Sequence, residues 1–185
     1  MKLLRHTLVT ACFSLAIGAA LPAFAADSVM VGGAAMYPSK TIVENAVNSK
    51  DHTTLIAAVK AASLVDTLNS KGPFTVFAPT NAAFAALPAG TVESLVKPEN
   101  KATLSNILTY HVVAGTYTAQ DLMMAANKTA GTTMLTTVQG EKLTVGYDGQ
   151  MLSLTDSKGS NTAISIADVM QSNGVIHVID KVLLP

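Results

Sequence analysis

At 185 residues, with twelve lysines plus arginines against twelve acids, the chain has the length of one domain and no excess of charge. Its one arginine (Arg5) and one cysteine (Cys12) both fall within the first 25 residues, leaving ten lysines against twelve acids, a formal charge of −2, over residues 26–185. That balance excludes the clustered basic surface a nucleic-acid or polybasic membrane binder needs, and the lack of further cysteine excludes disulfides and thiolate metal clusters.

Residues 1–25 read as a signal peptide. Lys2 and Arg5 give a positive start, residues 11–20 an apolar centre, and Pro22-Ala23-Phe24-Ala25 small residues where a peptidase cuts, after Ala25. The apolar run is too short for a comfortable span, so stable membrane insertion is not expected after cleavage. Val9-Thr10-Ala11-Cys12 looks like a lipoprotein box, but the long apolar stretch follows Cys12 and does not precede it. The chain is therefore expected to be secreted or periplasmic.

Residues 26–40 are rich in glycine and alanine and read as a loosely ordered N-terminal arm. The domain is expected over 41–185. Apolar spacing predicts a helix over 41–48 capped by Thr41, and a second over 52–62 capped by Asp51. A short helical turn at Leu64, Val65 and Leu68 stops at Lys71-Gly72-Pro73. Residues 74–78 form a β-rich strand ended by Pro79, and Thr80 caps a helix over 81–87. Short helices follow at 91–96 and after Pro98, the latter with Leu104, Ile107 and Leu108 facing inward. Residues 110–113 read as a strand, and Thr118 caps a helix over 119–126.

The last third changes to strand patterns at 134–138, 141–147, 151–155, 163–170 and 175–184, with Asp148-Gly149 and Asn173-Gly174 as turns. Helices first and antiparallel strands later mean an α+β fold with a meander-like sheet.

The residues supply no catalytic template: no G-x-S-x-G elbow, H-E-x-x-H or phosphate-binding glycine loop. His111 and His177 would converge on a metal only if their strands were neighbours, and a two-histidine set lacks a carboxylate. The expectation is that each is tied to backbone, with no metal and no cofactor. Met123, Met124 and Met134 read as core filling, not as a copper site.

Three segments, in order, resemble the fasciclin family. Gly72-Pro73-Phe74-Thr75-Val76-Phe77-Ala78-Pro79-Thr80-Asn81-Ala82-Ala83-Phe84 is similar to its first box. Leu108-Thr109-Tyr110-His111-Val112-Val113-Ala114-Gly115 is similar to its central Tyr-His segment, and residues 173–185 to its second box. The resemblance implies a wedge of mostly antiparallel sheet packed on a bundle of short helices. It also implies a non-catalytic adhesion module that binds an extracellular protein or polysaccharide. Animal members link the Tyr-His segment to integrin binding, so the candidate partner-binding residues are Tyr110 and His111, flanked by Leu108, Val112 and Val113. A periplasmic carrier of small ligands or carbohydrate is the alternative, with an unrecognised hydrolase behind it. Low aromatic content, with no tryptophan, argues against sugar stacking.

Overall fold

The computed structural model describes residues 28–185. The expected signal peptide, its cut after Ala25 and Cys12 lie outside the described residues.

Within the stretch read as an arm, the described residues 28–40 are folded. β1 (Val29–Val31) and β2 (Ala34–Met36) form a hairpin across Gly32 and Gly33. Both glycines have positive φ, 58° and 74°, as a two-residue hairpin turn requires. Val31 and Met36 are buried in the core, and the Lys50 N–H donates to the Gly32 carbonyl at 3.1 Å. Strands of three residues are too short to show alternation, which is why the composition alone suggested an arm.

Helices of five to ten residues follow. α1 (Ile42–Ala46) opens on Thr41, whose hydroxyl accepts from the Glu44 N–H while the Glu44 carboxylate accepts from the Thr41 N–H. α2 (Thr53–Ala61) is entered through a tight turn at Lys50–His52, and Asp51 does not cap it. The cap comes from 27 residues away: Asn81 Oδ1 accepts from the Thr54 N–H at 3.0 Å, and Asn81 Nδ2 donates to the Lys50 carbonyl. α3 (Val65–Asn69), α4 (Asn81–Ala85) and α5 (Thr91–Leu95) are one turn or slightly more. Thr80 caps α4 through the Ala83 N–H. α6 (Lys101–Tyr110) and α7 (Ala119–Lys128) are the longer pair, and Thr118 with Asp121 closes a capping box on α7.

The sheet has seven strands in the order β4-β3-β9-β8-β7-β6-β5. These are β3 (Phe74–Pro79), β4 (Val112–Ala114), β5 (Thr132–Thr136), β6 (Lys142–Tyr147), β7 (Leu152–Thr155), β8 (Asn161–Gln171) and β9 (Gly174–Ile179). The α+β class and the meander from β5 to β9 follow the sequence reading. The exception is β3 with β9, which pair in parallel with Val76 opposite Ile176. The two edge strands also meet: the Val138 N–H donates to the Val112 carbonyl at 2.7 Å beside a Val113–Thr137 bridge. The sheet is therefore nearly barrel-shaped and not an open wedge.

Side chains alternate across β3 and β9 and so feed two cores. Val76, Ala78, Ile176 and Val178 pack with the helical layer of α1, α2 and α6. Phe77 and Ile179 point the other way, into a core shared by β5, β6, β7 and α7. β9 is buried along its whole length.

Candidate functional site

The five residues singled out from the sequence lie where α6 gives way to β4. The expected strand over 110–113 is shorter: Tyr110 ends α6, His111 caps it, and the strand begins at Val112. Tyr110 closes the helix with its ring fully buried in the α7-side core.

Each of the five side chains is buried, Tyr110 at 0% and His111 at 2% exposure. They divide between the cores. Leu108 and Val112 belong to the helical side, Tyr110 and Val113 to the α7 side. The Tyr110 hydroxyl donates to the Lys142 carbonyl at 3.2 Å and accepts from the Ser157 N–H at 3.0 Å. Burial raises its pKa above the ordinary phenol value. The sequence leaves these residues two roles, a partner contact through the resemblance or a structural one with the ring and imidazole tied inside the domain; the fold turns all five side chains inward.

His111 bridges two elements. Nδ1 is 2.8 Å from the Ile107 carbonyl, and Nε2 accepts from the Leu183 N–H at 3.0 Å. One neutral tautomer, with the proton on Nδ1, satisfies both. Burial pushes its pKa down to about 4, against the pull of the Ile107 carbonyl and the nearby Asp156 charge. Asp156, unremarked in the sequence, completes the clamp: Oδ2 accepts from the Leu184 N–H, and Oδ1 from Lys158 and Ser160. One imidazole and one carboxylate thus hold Leu183 and Leu184 beyond β9, while Thr162 Oγ1 accepts from the Lys181 N–H.

His177 lies on β9, with β3 between it and β4, so the two histidines do not converge. Its Nε2 faces the Tyr117 carbonyl at 2.8 Å and its Nδ1 accepts from the Asp168 N–H at 3.3 Å. Its ring stacks on Phe77 with centroids 5.6 Å apart. His52, also buried, contacts Ser49 Oγ through Nδ1 at 2.9 Å, while its Nε2 has no hydrogen-bond partner among the described residues. Burial lowers the pKa of both. Among the described residues no three His, Cys, Asp or Glu side chains gather as a metal site would need.

Asn173 differs from its expected role. Gly174 alone takes the unusual backbone, at φ 157°, while the Asn173 side chain accepts from the Ile42 N–H and donates to the carbonyls of Leu68 and Ser70. It ties α1 and α3 to the start of β9. Alongside, an apolar cavity lies under the helical layer, with Leu108, His111 and Val112 in its wall. Its residues come from many elements at ordinary core spacing, so no sequence signal marks it.

This fold of short helices on a nearly closed sheet is similar to that of a FAS1 domain pair from the insect cell adhesion molecule fasciclin I. The match has a TM-score of 0.70 at 21% identity and covers 79% of this chain and 51% of that one. The family profile described as Fasciclin domain matches residues 50–185, and the chain belongs to that family. Relatives include protein sll1483 of Synechocystis sp., 50% identical over 159 residues, covering 85% of this chain and 81% of the relative. The immunogenic protein MPB70 of Mycobacterium bovis is 39% identical over 145 residues, covering 76% and 66%. Transforming growth factor-beta-induced protein ig-h3 of Sus scrofa is 34% identical over 148 residues, covering 80% of this chain and 20% of the relative.

Proposed function

We propose that the chain is an exported, non-catalytic interaction module that binds an extracellular protein or polysaccharide. The observation that carries this reading is membership of the fasciclin domain family across residues 50–185, with an insect cell adhesion molecule among the proteins of the same fold. The chemistry of the interior agrees with it. His111 and His177 spend both ring nitrogens on backbone groups, so neither is free to act as a general base. No helix among the described residues is long and apolar enough to cross a membrane. Export by the leader, with cleavage after Ala25, is part of the proposal.

In this reading Tyr110, His111, Leu108, Val112 and Val113 serve binding through the shape they impose. They hold the β4 edge and the chain after β9 in place, and the contact itself is made by residues outside this junction. The test is binding of the purified chain to an array of extracellular glycans and matrix proteins. Saturable binding to one class, without turnover of it, is expected; no binding at high micromolar concentration contradicts the reading.

A further inference from the structure

The helical core is not filled. Between α1, α2 and α3 on one side and β3, β9 and the end of α6 on the other lies a cavity of about 50 Å³. Since one water-sized group needs roughly 10–15 Å³, it has room for about four. Val43, Val59, Leu68, Val76, Leu108 and Ile176 supply much of the wall, and no polar atom is presented to the interior. The three polar residues that border it leave nothing for a polar ligand. The hydroxyl of Thr109 donates to the Ser105 carbonyl, both nitrogens of His111 are committed to backbone, and Thr67 stands at the exposed rim.

Such a space has nothing to hold water by, and its lining forgoes dispersion contacts a packed core would make. It is not sealed by buried residues alone. Its lining includes Thr67, which is exposed, half-buried Ile56 and Phe74, and Val138, a valine left 44% exposed. A charged group entering here would lose its hydration with no partner, and a sugar would leave its hydroxyls unpaired. A hydrocarbon gives up no hydrogen bond on entry and gains the contacts the lining lacks, against the freedom it loses on binding.

We propose that this cavity is a binding site for an uncharged aliphatic molecule, about four carbons of which enter between α2 and β3 while the remainder leaves past Thr67 and Val138. The site goes beyond the interaction-module reading: either can fail while the other stands.

The test uses the purified chain with its methyl groups labelled and 1-hexanol as the probe. Saturable NMR shifts are expected at Val59, Leu68, Val76, Leu108 and Ile176, with Leu143 and Leu154 in the other core unmoved. Ala46→Leu, which adds three carbons to the wall, weakens binding at least tenfold in a folded chain. Thr67→Trp obstructs the rim from an exposed position and weakens it without risk to the fold, so the site stays testable if Ala46→Leu does not fold. The absence of saturable shifts up to the solubility limit of hexanol overturns the proposal. So do shifts of equal size in both cores, or undiminished affinity in the folded variants.

Discussion

The two cores on either side of β3 and β9 are built differently. The α7 side is covered by one ten-residue helix that sets Ala119, Leu122 and Ala126 against the sheet, over Leu143, Val145 and Leu154, all three fully buried. Small residues let a single helix lie close, and close approach fills space. The other side is roofed by α1, α2 and α3, separate pieces of five to nine residues, and there the cavity remains. Short helices have too few side chains each to seal every junction. One side is thus closed by a single helix and the other keeps internal room beside the Tyr-His junction.

The strongest way to break this division is to remove the strand both cores share. A Cβ on Gly174 would sit 1.9 Å from the Phe74 carbonyl oxygen, so Gly174→Ala must push β9 from β3. It is expected to cost about 4 kcal/mol or more and to disturb methyl signals in both cores at once. A loss confined to one core in urea unfolding with NMR detection would show that the strand is not shared as described.

Acid comes next. The folded pKa of His111, about 4, lies below its unfolded value, so as pH falls the unfolded chain takes up the proton first. Stability present above about pH 6.5 drains away down to about pH 4, by about 3 kcal/mol from this residue. His52 and His177 shift in the same direction and add to the slope. Urea midpoints measured across this window should fall with pH, and fall less steeply in His111→Gln.

The smallest effect sharpens the comparison most. Adding the same three carbons to each core should give opposite results. Ala126→Leu, against the filled side, is expected to cost about 1–3 kcal/mol by overpacking. Ala46→Leu, beside the cavity, should stay within about 0.5 kcal/mol of the parent. Equal costs in thermal unfolding would mean the two cores are packed alike.

Much of this was legible locally. Thr41, Thr80 and Thr118 announce their helices because a hydroxyl three residues before an orphan N–H needs no tertiary help. The meander from β5 to β9 shows in strand-length apolar runs split by turns. What stayed hidden is long-range. Asn81 caps α2 from the far end of β3, and β3 pairs in parallel with a strand about 100 residues later. Tyr110 carries a strand-like neighbourhood, yet it ends α6, and its hydroxyl partners Lys142 and Ser157 lie 32 and 47 residues away. Resemblance marks the candidate residues and helical spacing turns Leu108 inward, but the partner of His111 Nε2 is the N–H of Leu183, 72 residues later, which no local pattern states.

The most direct test of the account is Tyr110→Phe, read for stability and for partner binding in one preparation. The account predicts a loss of about 1–3 kcal/mol from the two hydrogen bonds, with binding unchanged in the molecules that remain folded. Binding lost at unchanged stability would contradict it and make the Tyr110 hydroxyl a contact with the partner.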